Sequence, residues 1–206
     1  MGYRTKIKPD YNLIESLIPA GARVLDLGCG DGTLLSLLQE RKKVKGIGID
    51  IYSEGLNECL KKGLSVLQLD LNNGLASFKS GSFDYVILNM TLQATYNPLL
   101  LIKEMVRVGH RAIVGFPNFG HWKLVLSLLL KERMPKNKTL PYEWYNTPNI
   151  RLMTIKDFRI LCRENGIRII GETFLGEDGE KTGGRLISWR AAEGVFEITA
   201  RERCQW

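Results

Sequence analysis

The chain has few cysteines, only two histidines and no long hydrophobic run. Its four cysteines stand apart without a C-x-x-C pair, which argues against a disulfide framework and against a zinc site. We therefore expect reduced thiols, no bound metal and a cytoplasmic protein. The most apolar stretch, 124–130, is much shorter than a membrane span, and the first ten residues contain no apolar signal core. No membrane association is expected.

Acidic residues are fewer than basic ones: the chain has 22 aspartates and glutamates against 29 lysines and arginines, and a formal net charge of +7. Much of the excess lies in two clusters. The cluster at 41–45 ends a predicted helix, where cations complement the negative end of the helix dipole. The cluster between 123 and 138 would suit an anionic partner. Because no RNA- or DNA-binding motif accompanies either cluster, we prefer a solvated basic surface to a nucleic-acid partner.

Short apolar strands alternate with helical segments along most of the chain. Continuous apolar runs predict strands at 23–27, 44–51, 64–69, 82–89 and 112–116. Such runs indicate burial on both faces, as in a doubly wound α/β sheet with helices on both sides. Two further strands are predicted at 167–174 and 185–190, and their short link predicts an antiparallel hairpin. The fold class is thus a mostly parallel, seven-stranded sheet with a C-terminal antiparallel hairpin.

The alternation is interrupted at about 117–150, which we interpret as an insertion in a single domain spanning 1–206. Residues 121–131 predict an apolar helix, and a polar loop follows. That loop contains the aromatic cluster 142–145, with sequence YEWY. A loop of this length in a compact domain is usually functional. The aromatic cluster is interpreted as packing onto the core, as a lid over a ligand or as a docking surface.

Capping residues mark the start of three predicted helices. Asp10 is expected to cap the first helix. Asn97 followed by proline has the pattern of a cap and first helical position, and Thr154 with Asp157 resembles a capping box.

A glycine loop, DLGCGDG at 26–32, joins the first predicted strand to a helix. Glycines allow a sharp turn and let a ligand approach the backbone without a Cβ atom in the way. Asp50 ends the second strand about twenty residues later, where an acid can accept hydrogen bonds from both ribose hydroxyls of a nucleoside. Asp70 ends the third strand and is placed to accept the adenine amino group. The pattern predicts a nucleoside-containing cofactor.

Two aspartates, Asp26 and Asp31, flank these glycines. A diphosphate prefers bare amides at a helix N-terminus, and a carboxylate ~4–6 Å away repels it by a few kcal/mol at an effective dielectric constant of about 20. Carboxylates favour a sulfonium and an ammonium group instead. Thr33 also stands where the dinucleotide motif needs its third glycine. We therefore prefer S-adenosylmethionine to NAD. The competing interpretation is that Asp26 and Asp70 only cap helices or accept loop amides.

With these residues the chain resembles the class I S-adenosylmethionine-dependent methyltransferase superfamily and, within it, the methionine biosynthesis protein MetW family. RVLDLGCGDG with Asp50 and Asp70 carries the superfamily resemblance, which implies a Rossmann-like fold. FDYVILNMTLQAT, EMVRVGHRAIVGFPNFGHW and MPKNKTLPYEWYNTPNIRLMTIKDF carry the family resemblance, from about residue 8 to about residue 174. The contacts it implies for S-adenosylmethionine or S-adenosylhomocysteine are Asp26, Gly28, Cys29, Gly30, Asp31, Gly32, Asp50, Ile51, Asp70, Leu71 and Asn89.

The family resemblance implies a role in bacterial methionine synthesis alongside homoserine O-acyltransferase, which such a protein would support or regulate. The alternative is an active methyltransferase whose insertion holds a small-molecule acceptor. The Asn-Pro-Pro-Tyr-type motif, which methyltransferases use on amide or base nitrogens, is absent, since 89–92 has the sequence NMTL. His121 and Tyr142 are the candidate catalytic residues, although His121 equally suits a capping or packing role and His110 suits a turn.

Overall fold

The computed structural model describes residues 8–137 and 140–200, and within them eight strands form one sheet flanked by seven helices. The strands are β1 (Arg23–Leu27), β2 (Lys45–Asp50), β3 (Ser65–Gln68), β4 (Phe83–Asn89), β5 (Gly109–Pro117), β6 (Ile167–Leu175), β7 (Lys181–Thr182) and β8 (Glu193–Ala200). The helices are α1 (Pro9–Leu17), α2 (Thr33–Lys42), α3 (Ser53–Lys61), α4 (Pro98–Val108), α5 (Trp122–Lys131), α6 (Ile155–Glu164) and α7 (Ile187–Arg190). Short 3-10 turns occupy Leu71–Asn73 and Leu92–Ala94.

The strand order across the sheet is β3-β2-β1-β4-β5-β8-β6-β7. Strands β1 to β5 pair in parallel, whereas β8 runs antiparallel to both β5 and β6. The predicted mostly parallel α/β sheet with antiparallel C-terminal strands is confirmed, and the two-residue β7 adds an eighth strand at its edge. The order reverses between β1 and β4, and a crevice for a ligand is expected outside the carboxyl ends of these two strands.

The prediction of a strand at 185–190 is wrong. The chain forms the short helix α7 there, none of whose side chains is buried. Besides the two-residue β7, β6 pairs with β8, which lies between β5 and β6 and pairs Phe196 with Val114 on one side and with Glu172 on the other. Phe196 and Ile198 are completely buried. β8 is stabilised because it is buried between two strands that are distant in sequence. The local sequence pattern does not reveal this burial.

Hydrophobic clusters cover both faces of the sheet. One contains Phe116, Phe158 and Phe196, whose ring centroids lie 4.6, 5.0 and 5.6 Å apart. The other packs Ile14 of α1 and Leu35 of α2 against β1. A fully buried side chain of this kind contributes about 1.5–3 kcal/mol. The two clusters therefore hold the carboxyl edge of the sheet in a fixed geometry.

Two of the three predicted caps are confirmed. Asn97 accepts a hydrogen bond from the amide of Leu100, and Thr154 forms a reciprocal capping box with the aspartate three residues later. The prediction for Asp10 is wrong, because the N-cap of α1 is the residue before Pro9. Asp10 is instead buried in the first turn, where its Oδ2 accepts a hydrogen bond from Asn89 Nδ2 at 2.7 Å. The side chain of Asp10 therefore bonds to β4 and does not cap its own helix.

The loop that follows α5 returns to the carboxyl edge of the sheet. The amides of Ile150 and Arg151 both donate to the carbonyl of Gln93 at 2.9 Å, and Arg151 Nη2 donates to the carbonyl of Tyr96. The end of this loop therefore lies against the 3-10 turn after β4. In the part of the chain described, no helix is long and apolar enough to cross a membrane.

Three predicted thiols, Cys29, Cys59 and Cys162, are free and buried. Cys204, and the basic residue Lys138, lie outside the described residues. Within 8–137 and 140–200, no group of three histidine, cysteine or acidic side chains could hold a metal ion.

Candidate cofactor site

The glycine loop after β1 is tied to the end of β2. The amides of Gly28 and Cys29 donate to the carbonyl of Ile49 at 2.7 and 2.9 Å, and the amide of Gly30 donates to Asp50 Oδ2 at 2.8 Å. Gly28 has a φ of +71°, and a Cβ atom there would lie 2.4 Å from Thr91 Oγ1. Glycine is therefore required at position 28 by backbone conformation and by the close approach of the segment after β4.

A cavity of about 520 Å³ opens at the carboxyl edge beside this loop, and we call it the first cavity. It lies at the reversal of strand order, where ligands bind in open α/β sheets. Its volume is that of a typical small-molecule site. Five of the residues predicted from the sequence line it, namely Gly28, Asp50, Ile51, Asp70 and Leu71.

Asp50 and Asp70 are both held in place by backbone amides. Asp50 accepts from the amide of Tyr52 through Oδ1 at 3.0 Å and from the loop through Oδ2. Asp70 uses Oδ1 to accept from the amide and the side chain of Asn72 at 2.9 and 2.8 Å. Each carboxylate oxygen has two lone pairs, so Asp50 keeps two free acceptor positions and Asp70 keeps Oδ2 free.

Asp26 is buried behind the glycine loop, with 2% of its surface exposed. Its Oδ2 has no hydrogen-bond partner among the described residues. Burial, and secondarily the nearby Asp50 carboxylate, raises the pKa of Asp26 to about 7. A buried acceptor without a donor fits a ligand that brings a positive charge or an N–H group to this end of the site.

Asp31 does not line the first cavity. Its carboxylate accepts from the amide and the hydroxyl of Thr33 at 3.1 and 2.6 Å, and it forms an ion pair with Lys62 at 3.3 Å. More than half of the side chain is exposed. Asp31 therefore holds the start of α2, and the electrostatic preference for a cation depends on Asp26 and Asp50.

The other predicted residues do not line the first cavity. Cys29 belongs to a hydrophobic cluster, and its Sγ lies 2.7 Å from the position of a Cβ atom on Gly48. Gly32 packs against Leu64 and Cys59. Gly30 has a φ of +55° and open space where a Cβ atom would lie. Asn89 ends β4, but its side chain is directed to Asp10.

Several lining residues were missed by sequence reasoning. Met90 and Thr91 directly follow β4, so the position of the strand end was a signal that pointed to them. The amide of Tyr96 donates to Asn72 Oδ1 at 2.7 Å, and Tyr96 extends the wall of the first cavity beside Asp70. Residues 148–150 cover the first cavity from the insertion, through backbone contacts that no local pattern reports.

A second cavity, also of about 520 Å³, adjoins the first one. The two share Met90, Pro148 and Asn149 in their walls. Tyr142, one of the candidate catalytic residues, lines the second cavity and is half exposed. The insertion therefore contributes to both cavities, on either side of Met90.

His121 lies at the N-cap position of α5, where its side chain makes no capping hydrogen bond. It is buried, with Nδ1 3.9 Å from Glu177 Oε1, and lines a shallow cleft with Trp122 rather than the first cavity. Burial lowers the pKa of His121, against the opposing effect of Glu177. His110, at the exposed start of β5, is also remote from both cavities.

Comparison with known proteins agrees with this geometry. The family model described as methionine biosynthesis protein MetW matches residues 8–198. The chain is 40% identical over 178 residues to the bifunctional methionine biosynthesis protein MetXA/MetW of Rhodopirellula baltica, a match that covers 82% of this chain and 29% of that protein. The chain thus spans less than a third of the length of this relative.

Solved structures with the same fold carry more than one activity in their names. A S-adenosylmethionine-dependent methyltransferase of Thermotoga maritima aligns with a TM-score of 0.67 and 20% identity, over 94% of this chain and 88% of that one. The [4+2]-cyclase SpnF aligns with a TM-score of 0.66 and 12% identity, over 94% and 81%. The likeness shows the Rossmann-like class I methyltransferase fold, and the reaction has to be argued from the site.

Proposed function

The chain belongs to the methionine biosynthesis protein MetW family, and from that membership we propose that it binds S-adenosylmethionine or S-adenosylhomocysteine and thereby supports or regulates homoserine O-acyltransferase. The observation that carries the proposal is the first cavity, in which Asp50 and Asp70 keep free acceptor positions beside the glycine loop. We place this function in the cytoplasm, where the scattered thiols would remain reduced.

Each part of the cofactor has a matching group in the wall of the first cavity or, for Asp26, behind that wall. Asp50 would accept hydrogen bonds from the ribose hydroxyls, and Asp70 Oδ2 from the adenine amino group. Gly28 would allow the methionine end to approach the backbone, with the Asp26 carboxylate behind it. S-adenosylmethionine, when bound, supplies an activated methyl group on a sulfonium ion. The orphaned oxygen of Asp26 fits the positive charge of this ligand.

The fused relative supports the choice of partner. Its name places MetXA and MetW in one polypeptide, and proteins that occur fused frequently work side by side. In this chain, α5 has an exposed apolar face at Leu126, Leu129 and Leu130, the last two of which are more than 70% exposed. Contiguous exposed apolar surface marks interaction sites. We assign this α5 face to the acyltransferase.

Reconstitution tests the proposal. The homoserine O-acyltransferase from the same genome is incubated with this chain, and binding and acylation rate are measured without ligand, with S-adenosylmethionine and with S-adenosylhomocysteine. We expect a complex, and an acylation rate that depends on the ligand. The double variant Leu129→Glu/Leu130→Glu should lose the complex, whereas Leu60→Glu, at an exposed leucine of α3, should keep it. Absence of a complex and of any change in rate would end the proposal.

The second cavity favours one other candidate function, methyl transfer to a small molecule. It adjoins the first cavity at Met90 and has Tyr142 in its wall. Incubation with methyl-labelled S-adenosylmethionine and a metabolite extract should then give a labelled product, in smaller amount with Tyr142→Phe. If the wild-type protein supports the acyltransferase but gives no labelled product, methyl transfer is excluded and only the regulatory function remains.

A further inference from the structure

Acidic side chains outnumber basic ones in the wall of the second cavity, as far as the described residues show. Its wall includes the carboxylates of Asp10, Glu177, Asp178 and Glu193, whereas Lys8 is its one lysine or arginine among the described residues. Two of these acids already have partners: Glu177 forms an ion pair with Lys123, and Asp178 Oδ1 accepts from the amide of Glu180 at 3.0 Å. Asp178 is also exposed to solvent, so Asp10 and Glu193 are the two acids of this wall that are at least partly buried and form no ion pair with a described residue.

Glu193 is partly buried at the start of β8. Its carboxylate forms no hydrogen bond or ion pair with another described residue, although Lys8 and Asp10 both act on it electrostatically. Burial, and secondarily Asp10, raises the pKa of Glu193 to about 7, and Lys8 opposes this shift. Asp10 is 3% exposed, and its one hydrogen bond goes from Asn89 to Oδ2. The two acids thus repel each other across a partly dry site.

Gln93 gives an independent indication of a ligand. The residue is 6% exposed and lines the second cavity, and its Nε2 donates to the carbonyl of Met90 at 2.7 Å. That bond fixes the orientation of the amide, so Oε1 is the remaining acceptor. No described residue donates to it. A buried acceptor without a protein donor in the wall of the cavity fits an occupant that brings an N–H or O–H group.

We propose that the second cavity binds a small molecule through a protonated primary amino group, with Glu193, Asp10 and Gln93 Oε1 as acceptors. An ammonium group has three N–H donors, and its positive charge balances the negative charge of the two carboxylates. An anion would face carboxylates, and a neutral alcohol would leave both charges unbalanced. This site goes beyond the regulatory function, which concerns the first cavity, and it names the chemical class of a small molecule that the second cavity would hold.

Titration with three probes of similar size and different charge tests this site. n-Butylammonium, 1-butanol and butyrate are added to the full chain at pH 8.0, and the NMR signals of the Met90 methyl and the Gln93 amide are followed. We expect n-butylammonium to shift both signals and to bind at least tenfold more tightly than 1-butanol, with no binding of butyrate. Equal binding of the alcohol, or absence of shifts at these two residues, would overturn the site.

Two variants and one competition complete the experiment. Glu193→Gln should weaken n-butylammonium at least tenfold, and Glu164→Gln, the same change at an exposed glutamate of α6, should leave it unchanged. An unaffected Glu193→Gln protein would contradict the assignment. Saturating S-adenosylhomocysteine should change the affinity by less than twofold, whereas displacement would assign the second cavity to the cofactor. If S-adenosylhomocysteine itself does not bind, the proposed function fails while the probe titration still decides this site.

Discussion

Asp50 Oδ2 accepts a hydrogen bond from the amide of Gly30 at 2.8 Å, across the gap between β2 and the glycine loop. The other oxygen of Asp50 accepts from the amide of Tyr52. One carboxylate therefore positions the loop and presents acceptors to the first cavity. Asp50 thus links the position of the glycine loop to the acceptors that the first cavity offers.

Asp50→Asn should weaken S-adenosylhomocysteine by about 10–100-fold, which corresponds to about 1.4–2.8 kcal/mol. The amide retains one acceptor oxygen, so it satisfies one backbone amide at the expense of the ribose hydroxyls. Calorimetric titration measures the change. Glu54→Gln, in the exposed first turn of α3, is the matched control and should bind like the wild type. Unchanged affinity in Asp50→Asn would remove Asp50 from the site.

Asp26 has acidic neighbours on several elements. Burial is the larger cause of the raised pKa of Asp26, and the Asp50 carboxylate is the smaller one. Asp26 in turn helps to raise the pKa of Tyr11 in α1. Burial, with Asp10, Asp26 and Asp31, raises the pKa of Tyr11 well above its usual range. The carboxyl of Asp26 is thus mostly protonated in the folded protein below about pH 7. A cationic ligand binds better to the ionised carboxylate, so its binding competes with that proton.

Affinity for S-adenosylmethionine should therefore rise with pH up to about pH 7, by at most about tenfold per unit, and level off above it. Asp26→Asn should remove this dependence. Glu193→Gln, which removes the other acid with a pKa of about 7, should preserve it. Titrations at pH 6.0, 7.0 and 8.0 provide the measurement, and a pH dependence that survives in Asp26→Asn would show that another group is responsible.

The same acid should lower the stability of the ligand-free protein above neutral pH. The pKa of Asp26 is about 7 in the folded chain and ordinary, near 3.8, in the unfolded one. Because the unfolded chain loses this proton first, stability falls as pH rises from 4 to 7. Asp26→Asn should thus raise the free energy of unfolding at pH 8 by up to about 4 kcal/mol, and by little at pH 4. Urea unfolding at the two pH values checks this, and an equal effect at both would contradict it.

Asn118 should be the most sensitive polar residue of the frame around the site. Its completely buried amide donates to the carbonyls of Ser188 and Ala191 and accepts from the amides of Gly120 and Ile155. Asn118→Ala removes the partner of four backbone groups, two of which, on Ala191 and Ile155, are buried, and should cost about 3–4 kcal/mol. Asn97→Ala, which removes a helix cap, should cost about 1 kcal/mol. Equal urea midpoints for the two variants would refute the role of Asn118.

Local chemistry explains which parts of the fold could be predicted. Strands β1, β2, β4 and β5 are buried on both faces, so their sequences are continuous apolar runs that need no partner to be identified. Asp50 and Asp70 could be placed because parallel strands bring their carboxyl ends to one edge. β8 could not, since its burial depends on pairing with both β5 and β6.

The direction of individual side chains was not predictable for the same reason. Asp31 follows the pattern of a cofactor contact, but Lys62, 31 residues away, binds its carboxylate. Asn89 ends the correct strand, but Asp10 of α1 accepts its hydrogen bond. The cover of the first cavity by 148–150 depends on two backbone bonds to Gln93. Each is a contact between distant segments that exists only in the folded chain.

Calorimetric titration of the wild-type chain with S-adenosylhomocysteine, S-adenosylmethionine and NAD tests the central claim most directly. We predict one site per chain for both adenosyl ligands, with a Kd on the order of 10 μM, and no measurable heat with NAD. Absence of binding of both adenosyl ligands up to about 1 mM, which corresponds to about −4.1 kcal/mol, or tighter binding of NAD than of either, would contradict the account.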